Sequence, residues 1–359
     1  MQQRSDLIVL RPQGLYCPAG DFYIDPWRPV DRAVITHAHA DHARRGHGHY
    51  LAVSSAEAVM RARLGPISMQ GLAYGERLVH RGVTVSLHPA GHVLGSAQVR
   101  VEHAGQVWVA SGDYKVAPDR TCSPFEPVRC DVFITESTFG LPIYRWADEA
   151  QVFAQINRWW AANAARGRAS VLLAYSFGKA QRLLCGLDTS IAPVLVHPTV
   201  EAINQAYRAA GVELPATRPL SDWGSPARAR QAGLGSALLL MPPQALTASA
   251  LRRWGQAATA FASGWMQLRG ARRRAGWDAG FALSDHADWP GLHAAIAATG
   301  AGRVIVTHGS VDVMVRYLCE RGLQAESFET EYGPSHESQE APEAELAPFV
   351  AASDGAPSA

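Results

Sequence analysis

The sequence has few cysteines, no long apolar run and no excess of charge of either sign. Cysteine occurs 5 times in 359 residues, at Cys17, Cys122, Cys130, Cys185 and Cys319, an odd and scattered set without a Cys-x-x-Cys. That pattern argues against a disulfide framework and a thiolate zinc site, so reduced, structural cysteines are expected. No apolar stretch approaches the roughly 18 residues of a membrane span, because Pro242 and Pro243 interrupt the nearest one. The opening Met-Gln-Gln-Arg-Ser-Asp lacks the apolar stretch and small-residue cleavage site of a secretion signal. A cytoplasmic location without membrane attachment is therefore expected. Lys plus Arg number 33 against 32 Asp plus Glu, a net charge of +1, so any surface for a polyanion must be local.

What the sequence does have is a large apolar fraction and patterned histidine. It is 47% hydrophobic and 18% charged, which fits one large or two intimately joined globular domains at this length. In the first third, short β-branched runs read as strands: Val30 to Thr36, Val83 to His88, Gln106 to Ala110 and Asp131 to Thr135. Each is followed at once by a polar cluster, the place where an α/β scaffold holds its chemistry. From Asp148 the pattern changes to an amphipathic helix, with Val152, Phe153, Ile156, Trp159 and Trp160 at helical spacing and Gly167 as its stop. Two strand-then-helix units follow, from Val171 to Tyr175 and from Val194 to His197, implying a βαβ block with a parallel sheet. Residues 211–257 resist assignment. A strand from Ala258 to Ala262 and another from Arg303 to Thr307 come next, the latter resuming the grammar of the first third after an insertion. The Ala, Pro, Ser and Glu-rich tail from Pro334 reads as disordered, and no tandem repeat is visible.

The 14 histidines carry the chemistry. The string His37-Ala38-His39-Ala40-Asp41-His42 directly follows a strand. Residues two apart in extended chain point the same way, so His37 and His39 can share one ion, while Asp41 and His42 aim at a neighbouring position. Imidazole with carboxylate and no thiolate suits catalytic Zn²⁺, with Mn²⁺ or Fe²⁺ as alternatives. For a lone His-x-His such as His47 and His49, a histidine-rich surface turn is the preferred reading. Three strand-end residues, His92, Asp113 and His308, are each weak alone, but with the hexad they make seven ligands. That is enough for two metals sharing one carboxylate.

His37 to His42, His92, Asp113 and His308 resemble, in order and spacing, the metal motifs of the metallo-β-lactamase fold. Asp25 resembles the aspartate that supports the metal loop of that fold without binding metal; a plain strand-end turn is its competing reading. Glu136 in Thr135-Glu136-Ser137-Thr138, His286 in Ser284-Asp285-His286-Ala287-Asp288 and His308 resemble motifs A, B and C of the β-CASP nucleases. The resemblance covers roughly residues 10 to 335. It implies an α/β architecture, a metallo-β-lactamase αββα sandwich with an inserted β-CASP α/β domain. The first part of the sandwich would span 1–145, the insertion 146–270 and the return segment 271–335, with a tail at 336–359.

Within that group, Ser111-Gly112-Asp113-Tyr114-Lys115 and Ser263-Gly264-Trp265-Met266 resemble the bacterial ligase-associated DNA exonucleases most. This implies a dizinc enzyme hydrolysing DNA phosphodiester bonds, working with an ATP-dependent DNA ligase and a helicase. The histidine in motif C is the pattern of the RNA-processing relatives, which keeps an RNA substrate in contention. A small-molecule hydrolase predicts neither the large insertion nor the Glu136 and His286 pair, and a catalytically dead scaffold would lack ligands that this chain retains. Two divalent ions activate water for in-line attack on phosphorus. Asp41, His286 and Glu136 are then the catalytic candidates, with His286 as the acid for the leaving sugar oxygen and Glu136 raising its pKa. A purely structural histidine is the rival reading of His286. Phosphate contacts are expected from Arg269, Arg272, Arg273 and Arg274, with a solvated loop as the default. Ser176 and Lys179, at a strand-to-helix turn, are further candidates, although a simple cap would explain Ser176 equally well.

Overall fold

The structure is a computed structural model that describes residues 5–331 except 248, 250–253, 255 and 269–275. The first sheet contains β1 (Val9–Arg11), β2 (Gly14–Cys17), β3 (Phe22–Ile24), β4 (Arg32–Val34), β5 (His49–Val53) and β6 (Met69–Leu72), hydrogen-bonded in that order. Helix α1 (Glu57–Leu64) joins β5 to β6. The second sheet begins with β7 (Arg77–His80), β8 (Val83–Pro89), β9 (Ala97–His103), β10 (Gln106–Ala110) and β11 (Val132–Ser137). The chain then leaves this sheet altogether.

The excursion builds a third, wholly parallel sheet. Its helices among the described residues are α2 (Glu149–Ala164), α3 (Lys179–Gly186), α4 (Pro198–Ala209) and α5 (Pro226–Gln231). Its strands are β12 (Ser170–Leu173), β13 (Val194–Val196), β14 (Arg218–Pro219), β15 (Leu238–Met241), β16 (Ala258–Ala262) and β17 (Ala279–Phe281), in the order β14-β13-β15-β12-β16-β17. The chain returns through α6 (Trp289–Thr299), β18 (Arg303–Gly309), α7 (Val311–Glu320) and β19 (Gln324–Ser327). Strand β18 lies parallel beside β11, with Val132 opposite Arg303 and Ile134 opposite Ile305. Two strands far apart in sequence thus become neighbours, and the second sheet is completed.

Side-chain alternation explains the layers. On β10, β11 and β18, Trp108, Ala110, Val132, Ile134 and Ile305 face the core shared with the first sheet. Their alternate neighbours Val109, Phe133, Val304 and Val306 pack with Leu292 and Ile296 of α6 and Met314 and Leu318 of α7. With period-two geometry, one strand therefore serves two cores. Val59, Met60 and Leu64 of α1 pack in one buried cluster with the first sheet, and with α6 and α7 against the second sheet this gives the expected αββα sandwich. The third sheet is buried on both faces, so its strands read as unbroken apolar runs, Val171-Leu172-Leu173 and Leu238-Leu239-Leu240-Met241, split alternately between two clusters. Strand β15 lies inside the segment that resisted assignment from sequence. Strand β17 pairs with β16, so the third sheet extends past residue 270, where the sequence reading ended the insertion.

None of the five cysteines forms a disulfide. Among the described residues, no helix is long and apolar enough to cross a membrane. Arg269, Arg272, Arg273 and Arg274 lie outside the described residues, as does the tail from Pro334.

Candidate metal centre

Strands β8, β10, β11 and β18 all run in one direction, since β9 is antiparallel to both β8 and β10 and the other pairings are parallel. Their C-terminal ends share one edge of the second sheet, and the chain after β4 meets that edge. This places His37 to His42, His92, Asp113, Glu136 and His308 together. The tight turns are glycine-dependent: Gly309 has φ +87°, and a Cβ there would sit 2.0 Å from the Ser137 carbonyl oxygen.

Three clusters meet at Asp113, one of them with Glu136 and His286. His37, His39, His92 and Asp113 can each present a ligand atom to one point, and Asp41, His42 and Asp113 to a second. His37 Nε2 and His92 Nε2 each lie 3.0 Å from His39 Nδ1. Asp113 Oδ2 stands 3.5 Å from His37 Nε2 and 3.4 Å from His42 Nε2, and Asp41 Oδ2 is 3.6 Å from His42 Nε2. The imidazole of His308 lies 5.6 Å from that of His42, centroid to centroid. His308, Asp41 and His42 line one cavity of about 40 Å³.

The far nitrogen of each ring decides what the near one can do. Thr36 gives its hydroxyl proton to Asp25 Oδ2 at 2.5 Å, so it accepts from His37 Nδ1 at 3.1 Å. His39 Nε2 donates to the Phe177 carbonyl at 3.3 Å, and His92 Nδ1 to the Asp285 carbonyl at 2.8 Å. His42 Nδ1 donates to Asp25 Oδ2 at 2.7 Å. Thr307 donates to the Thr135 carbonyl at 3.2 Å and accepts from His308 Nδ1 at 2.8 Å. In the neutral form, each of the five rings keeps a bare lone pair on its other nitrogen. For His37, His39 and His92 those lone pairs converge within hydrogen-bond distance with no proton between them. His42 Nε2 is buried without a hydrogen-bond partner. Acceptors massed against acceptors fit a cation, and the nitrogen-rich donor set fits Zn²⁺ or a similar ion.

Electrostatics agree with that fit. Burial, with the neighbouring His42, holds His37 well below its ordinary pKa; burial and His92 push His39 down to about 3. Burial also lowers His92 and His308. His42 goes the other way: burial works against it, yet Asp113, Asp41 and Asp25 hold it well above its ordinary value. Three carboxylates around a buried imidazole call for positive charge at that point. Asp25 itself sits at φ +43°, a costly conformation for a non-glycine residue. Its carboxylate also accepts from the Thr36 backbone N–H at 2.8 Å, so it ties His42 to the start of the loop.

Beside Asp113 lies an acid–base pair. Glu136, 1% exposed, accepts from the Tyr114 N–H at 2.8 Å and the Thr138 hydroxyl at 2.5 Å. Both its oxygens stand 3.0 Å from His286 Nδ1. Burial would lower His286, but Glu136 and Asp113 outweigh it and raise the ring to about 9. Trp146 Nε1 donates to the His286 carbonyl at 2.9 Å, fixing the backbone that presents the ring.

The candidate phosphate contacts fare differently. Lys179 is 4% exposed and its Nζ lies 3.0 Å from Asp285 Oδ2, so its charge is neutralised inside the protein. Ser176 is buried, with its hydroxyl 2.9 Å from that of Thr199. Gly178, not Ser176, caps α3, and the Gln181 side chain accepts the Gly178 N–H at 2.9 Å. The turn is closed by its own residues rather than left open to a phosphate. What sequence reasoning missed is the ion network behind the centre. Arg182 contacts Asp119 and Asp285, each at 3.2 Å, and also Glu149. Lys115 lies 3.5 Å from both Asp119 and Glu149. Lys115 and Asp285 stand within strings noticed for other reasons, whereas Arg182 carries no local signal.

The αββα sandwich, the inserted parallel sheet and the strand-end histidines define a protein of the metallo-β-lactamase fold with a β-CASP insertion. In fold and in the order of its site residues the chain is similar to the β-CASP nucleases. It is 34% identical over 316 residues to a probable DNA ligase of Opitutus terrae, covering 87% of this chain and 30% of that protein. It is 30% identical over 224 residues to endoribonuclease YSH1 of Mycosarcoma maydis, 51% of this chain and 25% of that one. Over 124 residues it is 31% identical to cleavage and polyadenylation specificity factor subunit 3 of Dictyostelium discoideum, 33% of this chain and 16% of that one. The chain spans less than a third of the length of each of these relatives. No protein-family profile matches it. In fold it resembles a protein of unknown function from Enterococcus faecalis V583, with a TM-score of 0.55 at 13% identity, covering 86% of this chain and 81% of that one.

Proposed function

We propose that this chain is a dinuclear metallo-nuclease that hydrolyses phosphodiester bonds in DNA, acting at strand ends in repair alongside a ligase and a helicase. The observation that carries the reading is the pair of donor clusters sharing Asp113, with the Glu136 and His286 pair beside them. His37, His39, His92 and Asp113 would hold one ion; Asp41, His42, Asp113 and His308 the other. Bound there, a pair of divalent cations supplies Lewis-acid stabilisation of phosphoryl charge and makes water acidic enough to attack at neutral pH. Asp41, whose carboxylate stays ionised because His42 and other imidazoles outweigh its burial, receives the proton of the attacking water. His286 is held charged at neutral pH and oriented through Nδ1, which leaves Nε2–H to protonate the leaving sugar oxygen.

The name of the Opitutus relative favours DNA, while the names of the two eukaryotic relatives favour RNA processing as the second reading. End-labelled single- and double-stranded DNA and RNA of matched sequence separate them. Faster cleavage of DNA, from an end, is the expected result. Faster cleavage of RNA would move the assignment to the second reading, and cleavage of neither would overturn both.

A further inference from the structure

The inserted lobe contains a second cavity, of about 290 Å³, walled by His197, Pro198, Leu220, Ser221, Trp223 and Trp254. It lies beyond the C-terminal end of β13, where α4 begins, on the edge of a parallel sheet at which ligands characteristically settle. The Thr199 backbone N–H donates to His197 Nδ1 at 3.3 Å. A ring nitrogen that accepts an amide proton carries none of its own, so the proton of neutral His197 is on Nε2, which is a donor. Trp223 is 3% exposed, yet its Nε1–H has no acceptor. A buried donor without a partner is costly, and it marks a place where an acceptor belongs. Ser221 adds a hydroxyl, and no carboxylate lines the cavity among the described residues.

The occupant suited to these walls is flat, apolar on its faces and rich in acceptors along its edge. A nucleobase has that chemistry, with ring nitrogens and carbonyl oxygens for the two N–H donors and π-faces for the indoles. Contacts join the cavity to the metal centre. His197 Nδ1 meets the Thr199 hydroxyl at 2.8 Å and that hydroxyl meets Ser176 Oγ at 2.9 Å. The next residue, Phe177, accepts from His39 through its carbonyl at 3.3 Å. We propose that this cavity is a base-binding subsite, which takes up one nucleobase of the strand whose scissile phosphate lies at the metal centre. The proposal rests on the nuclease reading above.

The test is a scan of a short labelled oligonucleotide, as DNA and as RNA, in which each base in turn is replaced by an abasic sugar. Binding to the full-length His286→Ala chain is measured by fluorescence anisotropy. Loss of one particular base should weaken binding roughly tenfold, and Trp254→Ala should erase that positional difference. Ser221→Phe, which fills the cavity from its rim without hollowing the core, should erase it too. A flat scan, or a positional effect untouched by both variants, overturns the subsite. So does Trp254-dependent binding of a free nucleoside 5′-monophosphate combined with a flat scan, which would make the cavity a free-nucleotide site. If the wild-type chain cleaves strands but the scan is flat, only the subsite falls. If it neither binds nor cleaves any strand, the nuclease reading falls and takes the subsite with it.

Discussion

Asp113 is the side chain common to all three donor clusters, so its loss should be felt at each. Asp113→Ala is expected to lower bound metal measured by elemental analysis and to abolish cleavage; His37→Ala should abolish cleavage while lowering metal at one cluster. Retention of full metal content and turnover by both variants would show that the ligand assignment is wrong. His286 is expected to behave differently, because the role proposed for it is proton transfer. His286→Ala should keep the metal while slowing cleavage by about 10²- to 10⁴-fold, and Glu136→Gln should slow it in the same direction by removing the charge that keeps the ring protonated. Metal loss in His286→Ala would identify it as a ligand. At this scale most of the centre is legible in the sequence, since four of the seven ligand candidates fall within six consecutive positions. The tautomers are not, because they depend on Thr36, Phe177, Asp285 and Thr307 as hydrogen-bond acceptors.

Among the elements, the junction of β11 and β18 carries the most consequence, since it brings the last ligand candidate beside the others. Gly309 ends β18 at φ +87°, against the Ser137 carbonyl. Gly309→Ala should destabilise the protein by at least ~1–3 kcal/mol from backbone conformation alone, with the steric clash adding to it. A denaturation midpoint equal to wild type would contradict this close approach. Several strands were readable from β-branched runs, and β10 and β16 coincide with their expected spans. β15, four apolar residues before Pro242, falls in the stretch that the sequence left unassigned, because a buried parallel strand has no alternation to mark it. β17, only three residues long with glycine at its centre, gains its identity from pairing with β16.

Across the whole molecule, three cations, Lys115, Lys179 and Arg182, meet three anions, Asp119, Glu149 and Asp285, between the sandwich and the inserted lobe. Arg182→Met leaves two cations for three anions and should cost about 3–5 kcal/mol, read as a lowered denaturation midpoint. Burial would raise the Asp285 carboxyl, but Lys179 and Arg182 hold it well below the usual carboxylate range. A depressed folded pKa stabilises above the unfolded value of ~3.9 and is lost as pH falls toward the folded one. Asp285→Asn should therefore be less stable than wild type at pH 7, with the gap narrowing below about pH 4; a gap constant from pH 7 to 3 would refute the linkage. Lys115 and Lys179 are the only lysines in the sequence, and both are buried in this network. The sequence by itself determined the candidate ligand types, their order, the layered α/β class and the existence of an insertion, because strand periodicity and a compact histidine string are local properties. Only the tertiary structure decided that Lys179 is buried against Asp285, that β17 extends the inserted sheet and which ring nitrogens face the centre. Those outcomes depend on partners up to 193 positions away in the chain, and no local pattern encodes which distant group will supply the matching charge or acceptor.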